Sequence, residues 1–122
     1  MAMAAGMATL DELERPGTFD ALRKATRDLT LGIDRTMRSH RLSAHVPTVG
    51  TVFSILFGDR TPRNYRDTLA ADNAKRESLD AGLLARGIFV KPGKPFYLST
   101  AHDAGAIQAT LDAFDRVVSG LA

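Results

Sequence analysis

The chain contains no cysteine, and its net charge is small. Without cysteine it can form no disulfide framework, no thiolate metal site and no cysteine nucleophile. Its apolar beginning, MAMAAGMATL, has no positive leading region and is followed at once by Asp11 and Glu12. We therefore predict neither a signal peptide nor a membrane span, and we expect a cytoplasmic protein.

The charges are mixed along the chain rather than gathered in one place. Sixteen basic and 14 acidic residues give a net charge of +2, and the basic residues form no stripe of the kind that nucleic-acid-binding domains carry. We therefore expect no nucleic-acid partner. The 122 residues, 44% apolar and 25% charged, are typical of one globular domain and too few for a two-domain enzyme.

Apolar spacing and end signals predict four helices. The first runs to about Glu14, and the third runs over residues 71–86, with Gly87 as its stop signal. The second is expected to begin at Thr18 as its cap, and its core face consists of Phe19, Leu22, Thr26, Leu29, Ile33 and Met37. The last follows Asp103 as its cap, and its core face, expected to pack against a sheet, consists of Ile107, Leu111, Phe114, Val118 and Leu121.

Three segments are predicted as strands. Residues 46–57 alternate in a way that indicates one strand, ended by Gly58. Residues 88–90 and 96–99 are predicted to pair with each other around a bend at Pro92 and Gly93. The expected fold class is therefore α+β, with a small, mostly antiparallel sheet covered by helices.

The residues by themselves offer no complete active site. His40, His45 and His102 are far apart and lack a carboxylate at helical spacing, so we predict no metal site. Ser99 has no G-x-S-x-G surrounding, which favours a strand end over a nucleophile. The turn KPGK is interpreted as solvated, with an anion site as the alternative, and the arginines of RTPRNYR as a basic loop rim.

Three stretches resemble, in order and spacing, one known enzyme family. AMAAG followed by ATL is similar to the helix after that family's G-N-P-x motif. The family's middle loop and helix resemble the stretch TPRNYRDTLAADNAKRESLDAGLLARGIFV. Its F-L-S-x-A-H signature resembles FYLS followed by AH. The family is that of the class III pyridoxal-phosphate-dependent aminotransferases, especially the glutamate-1-semialdehyde aminomutase branch.

The resemblance implies a part of an enzyme rather than a whole one. It assigns residues 1–15 to a connecting helix that continues from a missing large domain, and residues 16–122 to the C-terminal small α+β domain of a fold-type I transferase. The full-length enzyme would bind pyridoxal phosphate, form a homodimer, and transfer an amino group on an amino acid or amino-aldehyde. The family's Schiff-base lysine and phosphate-binding motifs have no counterpart here. We therefore expect no catalytic and no cofactor-binding residue in this chain, and no activity of the chain alone.

The resemblance also implies a wall of the substrate pocket, formed by Pro92, Lys94, Phe96 and Ser99. Aminomutases commonly carry a glutamate about five positions before the serine, where this chain has Lys94. The reversed charge leaves aminomutase and transaminase activities open, and it favours an acidic group on the substrate. The alternative function is a free-standing, non-catalytic dimerisation or binding module that uses the sheet or the first helix.

Overall fold

A computed structural model describes residues 1–121 of the chain. The elements follow one another as α1 (Ala2–Glu14), α2 (Thr18–Ser39), β1 (Ala44–His45), β2 (Thr48–Val49), β3 (Val52–Phe53), β4 (Leu56–Phe57), α3 (Tyr65–Thr68), α4 (Asn73–Leu84), β5 (Phe96–Tyr97) and α5 (Ala104–Val118). Helices and short antiparallel strands form the α+β fold that the sequence predicts. Within the described residues no helix has the length and apolarity needed to span a membrane.

Helix α2 supplies one side of the core, much as its apolar spacing predicts. Its buried residues recur every three or four positions, as Leu22, Thr26, Leu29, Ile33 and Met37. Two details of the prediction are wrong. Gly17, with φ of 87°, is the N-cap, and Thr18 instead donates from Oγ1 to the carbonyl of Glu12 at 3.1 Å, which ties α2 to the end of α1. Phe19 lies one helical turn before Leu22, the first buried residue, and is 47% exposed.

The single strand predicted over residues 46–57 is wrong, because the chain reverses in the middle of it. Gly50 adopts a φ of 62°, a left-handed conformation that glycine reaches without steric cost, and strands β2 and β3 pair on either side of it. Strand β1 pairs separately with β4. The alternating pattern therefore belongs to three two-residue strands, β2, β3 and β4, in two sheets, and only its second half, Phe53, Ile55 and Phe57, is buried.

The hairpin predicted between residues 88–90 and 96–99 is also wrong. Strand β5 pairs with β3, which places Phe96 opposite Phe53. After α4 the chain turns at Gly87, which has a φ of 79°. Residues 88–90 form no strand, and Phe89 is 91% exposed. Ser99 lies beyond the end of β5.

Helix α5 packs against α2 and α4, not against a sheet as predicted. Two glycines allow this close approach. A Cβ at Gly32 would lie 2.5 Å from Leu111 Cδ2, and one at Gly82 would lie 2.6 Å from Val117 Cγ1. The predicted cap of α5 is confirmed, since Asp103 Oδ1 accepts from the Ala106 amide at 2.8 Å. The core is thus a helical layer whose open side is covered by the strands and by the 88–98 segment.

Candidate functional site

The four residues predicted as a pocket wall lie on one continuous segment that runs from a turn into β5. Gly93 has a φ of 68°, and the Lys94 amide donates to the Lys91 carbonyl at 3.1 Å, which closes the turn. Pro92, Lys94 and Ser99 are exposed, while Phe96 is half-buried. The segment over residues 91–96 is called the 91–96 loop below. Its polar side chains face solvent, so contacts to its main chain determine its conformation.

A buried ion pair on α4 provides that support. Arg76 Nε donates to both carboxylate oxygens of Asp80, at 2.9 and 3.0 Å. Arg76 is 7% exposed and Asp80 is fully buried, on the same face of α4 as Leu79 and Leu83. Burying two charges is costly unless every remaining donor and acceptor finds a partner, so the other bonds of this pair decide what it does.

Arg76 connects α4 to the segment between β3 and β4 and to the 91–96 loop. Its Nη2 donates to the Lys94 carbonyl at 2.7 Å, and its Nη1 donates to the Ile55 carbonyl at 3.1 Å. The guanidinium carbon lies 4.6 Å from the centroid of the Phe96 ring, which itself stacks on Phe53 at 4.9 Å. Arg76 thus joins one helix, one loop and one aromatic pair through its planar, multiply donating head.

Asp80 holds the same loop from the acceptor side, since its Oδ2 accepts from the Gly93 amide at 2.8 Å. The loop is consequently bound through a main-chain N–H and a main-chain carbonyl at adjacent residues, Gly93 and Lys94. Both bonds involve a charged partner, and such bonds are shorter and stronger than neutral ones. The conformation of the loop therefore depends on Arg76 and Asp80, whereas the Lys94 side chain is left exposed.

Sequence reasoning did not identify Arg76 or Asp80 as functional residues. A signal was present, because Arg76, Leu79, Asp80 and Leu83 recur at the spacing of a single helix face. Two opposite charges four residues apart, interleaved with two core leucines, indicate a pair that is buried with the leucines. The sequence offers no indication of the partners that lie between β3 and β4 and in the loop.

Ser99 and His102 come together, but as a local turn. The Ser99 amide donates to His102 Nδ1 at 3.0 Å, and Ser99 Oγ lies 3.1 Å from the same nitrogen. The same nitrogen also lies 3.3 Å from the Ser99 carbonyl oxygen, so all of its contacts are with one residue. Both side chains are exposed. The contact joins the segment after β5 to the start of α5. His102 precedes the helix cap as predicted, whereas Ser99 lies two residues past the end of β5 and does not end the strand.

The arginine-rich loop lies apart from this site and lines an open hollow of about 700 Å³. Arg63 Nε lies 3.7 Å from Asp67 Oδ2, and the Arg63 amide donates to the same carboxylate oxygen at 2.8 Å. Asp59 and Asp67 line the hollow together with three arginines, so its charge is largely balanced. Elsewhere within residues 1–121, no three histidine or carboxylate side chains come close enough to share a metal ion.

The lysines do not fit a covalent site for pyridoxal phosphate. Lys24 Nζ lies 2.6 Å from Asp28 Oδ2 on an exposed face of α2, and Lys91 and Lys94 are exposed. Lys75 is half-buried at the start of α4. No lysine of the described residues is buried in a cleft that would hold a cofactor ring and its phosphate. We therefore derive no chemical step of that cofactor from this chain.

Relatives of known name match nearly the whole chain but only part of their own length. The chain is 34% identical over 115 residues to the glutamate-1-semialdehyde 2,1-aminomutase of Albidiferax ferrireducens, which covers 93% of the chain and 26% of that protein. With the protein of the same name from Paracidovorax citrulli the identity is 36% over 119 residues, or 96% of the chain and 27% of that protein. The chain thus spans about a quarter of the length of these relatives. No protein-family model matches it.

Solved structures agree with the sequence relatives. An omega-transaminase from Sphaerobacter thermophilus matches with a TM-score of 0.78 and 27% identity, over 84% of this chain and 24% of that one. The FumI protein of Sphingopyxis sp. MTA144, solved in its PLP internal aldimine form, matches with a TM-score of 0.80 and 25% identity, over 98% of this chain and 26% of that one. These matches confirm the resemblance and the fold class that the sequence indicates.

Proposed function

Because the chain is homologous to about a quarter of named pyridoxal-phosphate-dependent aminomutases and transaminases, and shares their fold there, we propose that it serves as the C-terminal small domain of such an enzyme. The observation that carries this proposal is that the matches cover nearly the whole chain but only about a quarter of each relative. The activity proposed for the whole protein is amino-group transfer on an amino acid or amino-aldehyde.

The contribution of this chain is a pocket wall of fixed shape. Pro92, Lys94, Phe96 and Ser99 form the wall, and the Arg76–Asp80 pair holds its main chain through Gly93 and Lys94. Pyridoxal phosphate, bound by the rest of the protein, would supply the electron sink that amino-group transfer requires. A wall that is already ordered positions a substrate without further loss of conformational freedom on binding.

The exposed apolar side chains of helix α1 support the proposal that this helix packs against a further domain. The large apolar side chains of α1 are exposed: Met3 by 87%, Met7 by 60% and Leu10 by 54%. No residue of α1 is buried, although the helix has apolar residues at helical spacing. An exposed apolar helix of this kind marks an interaction surface. We assign residues 1–15 to a helix that packs on the missing large domain, residues 16–122 to the small domain, and the complete protein to a cytoplasmic homodimer.

Complementation tests this proposal directly. The aminomutase of Paracidovorax citrulli would be produced without its matched quarter and mixed with this chain, with the enzyme's own excised segment as the positive control. We expect the truncated enzyme to be inactive, and each added segment to restore amino-group transfer. If the native segment restores activity and this chain does not, the proposal is contradicted.

The rival function, a free-standing dimerisation or binding module, makes a different prediction. The sheet formed by β2, β3 and β5 has two outer edges, and Val49 and Tyr97 on it are 83% and 66% exposed. A module built for self-association would sediment as a tight homodimer at low micromolar concentration and would not complement the truncated enzyme. A small domain would complement the enzyme, and its self-association would be weak.

Lys94 is proposed to select substrates with an acidic group. Its ammonium is exposed on a main chain fixed by Arg76, and a cation in a partly desolvated wall attracts a carboxylate several-fold more strongly than in bulk water. In a complemented enzyme, Lys94→Glu should lower kcat/KM for acidic amino donors about tenfold or more relative to neutral donors. Lys24→Glu, the same charge change on α2 outside the wall, is the matched control. An unchanged ranking of donors would remove Lys94 from this role.

A further inference from the structure

A solvent-open cleft of about 300 Å³ lies between the 88–98 segment and the helical core. Its apolar wall is built by α2, α4, α5 and β3, through Leu29, Ile33, Phe53, Leu83, Ile107 and Phe114. Because the cleft is open to solvent, a small ligand can reach its apolar wall from outside.

The segment beside the cleft does not fill it. Residues 88–91 have no strand partner and are attached at their two ends, where the Ile88 amide donates to the Leu83 carbonyl at 3.0 Å and the Gly93 amide donates to Asp80 at 2.8 Å. Val90 packs into the core and is 7% exposed, whereas the Phe89 ring is 91% exposed and leaves the cleft open. The cleft is consequently bounded by a short strap that is anchored on both sides.

Among the described residues, the lining of the cleft carries a cation and no carboxylate. Lys91 and His102 contribute to its lining, whereas no aspartate or glutamate among residues 1–121 does. His102 Nδ1 already contacts the Ser99 amide and carbonyl, so Nε2 is the ring nitrogen left for a ligand. Thr110 also lines the cleft, but its hydroxyl donates within α5 to the Ala106 carbonyl at 2.8 Å. The Lys91 ammonium, with no carboxylate in the cleft lining, complements a negatively charged head group.

We infer that this cleft binds a small carboxylate that carries a single aromatic ring, with the ring among the core side chains and the carboxylate beside Lys91. A buried apolar cavity of about 150 Å³ accommodates benzene, so a cleft of about 300 Å³ holds a ring with a short linker. Burial of the ring supplies affinity, and the charged head fixes orientation. The cleft shares Phe96 with the proposed pocket wall, but its test measures binding to this chain alone and does not require amino-group transfer.

The experiment uses 4-phenylbutyrate titrated into the 122-residue chain and followed by amide NMR. We expect saturable shifts confined to residues 88–91 and to the first turns of α5. Two matched probes separate head from ring: 4-phenylbutanamide keeps the ring without the charge, and butyrate keeps the charge without the ring. Each should bind at least about tenfold more weakly than the complete probe.

Three variants complete the test. Lys91→Glu should weaken 4-phenylbutyrate binding at least about tenfold, whereas Lys24→Glu, the same charge change at a lysine outside the cleft, should alter it less than about twofold. Thr110→Leu adds volume to the cleft wall and should weaken binding about fivefold or more while leaving the chain folded. The inference is overturned if the probe does not saturate, if the acid and the amide bind equally, or if Thr110→Leu leaves affinity unchanged.

Discussion

Two Arg–Asp pairs with the same order and spacing lie in opposite surroundings in this molecule. Arg63 and Asp67, at the start of α3, are 3.7 Å apart, and their side chains are 87% and 31% exposed. Arg76 and Asp80, on α4, are 2.9 Å apart, and their side chains are 9% and 1% exposed. The local sequence pattern, an arginine four residues before an aspartate, is the same in both.

The difference between the pairs shows that burial, not spacing, determines what a pair does. The exposed pair is screened by water and salt, and pairs of this kind contribute from nothing to about 1 kcal/mol. The buried pair is stable only because each charged head finds further partners. Those partners, the Lys94 carbonyl and the Gly93 amide, belong to the proposed pocket wall. The buried pair therefore sets the conformation of a distant loop, while the exposed pair organises only its own turn.

The largest expected effect comes from removing one cation from each pair. Arg76→Met leaves Asp80 buried without its counter-charge and should lower the free energy of unfolding by about 3–5 kcal/mol. Arg63→Met, the matched control, should lower it by no more than about 1 kcal/mol. Urea denaturation of the two variants measures both values. Equal losses would mean that the two pairs are equivalent and would break the comparison.

The aromatic support of the buried pair comes next in size. Phe96→Leu removes the ring that lies against the Arg76 guanidinium and stacks on Phe53, and it should cost about 1–3 kcal/mol. Tyr97→Leu changes the neighbouring residue of the same strand, where the ring is 66% exposed, and should cost about 0.5 kcal/mol or less. Thermal unfolding of both variants tests the difference. A larger loss for Tyr97→Leu would show that the outer face of β5, and not Arg76, supports the loop.

Replacing both members of the buried pair should separate stability from loop order. The double variant Arg76→Met with Asp80→Leu leaves no unpaired charge, so its stability should lie within about 1 kcal/mol of the parent chain and well above that of Arg76→Met. The Gly93 amide loses its carboxylate acceptor and should exchange with solvent markedly faster. Hydrogen exchange followed by mass spectrometry over residues 88–98 measures this. Unchanged protection of Gly93 would mean that the loop is ordered without the pair.

The smallest expected effect is the change that salt makes to the stability losses of the two arginine variants. At about 1 M salt the screening length falls to about 3 Å, so any loss caused by Arg63→Met should shrink by a few tenths of a kcal/mol. The loss caused by Arg76→Met should stay the same, because its partner is out of reach of mobile ions. Repeating the urea titrations at low and high salt provides the measurement. A buried-pair deficit that salt removes would contradict the burial of Asp80.

The helices were predictable because their signals are local. Most of the predicted faces of α2 and α5, and the cap at Asp103, follow from residues three or four positions apart, and the structure confirms them. The exceptions lie at the helix ends, where Phe19 is exposed and Leu121 falls beyond the end of α5. The strands were not predictable to the same extent, because the alternation of residues 46–57 fits one long strand as well as a hairpin. The reversal at Gly50 decides between them, and it depends on β3 finding β5 more than 40 residues later in the chain.

The candidate site was predicted in part. The segment from Pro92 to Ser99 followed from the resemblance of its motif, and the assignment of these residues to a pocket wall stays a prediction. The Arg76–Asp80 pair was missed, although its spacing with Leu79 and Leu83 was visible. Its partners Ile55 and Lys94 lie about 20 residues away on either side, and no pattern within one helix identifies them.

By itself the sequence determined the helix faces, the mixed fold class and the family resemblance, because each is carried by neighbouring residues or by a short motif. The tertiary structure alone decided that β5 pairs with β3, that α5 packs on helices through Gly32 and Gly82, and that one of two identical Arg–Asp spacings is buried. Those outcomes depend on which distant segments exclude water from a given side chain. That exclusion sets the local dielectric, and with it the strength of every charge in the site.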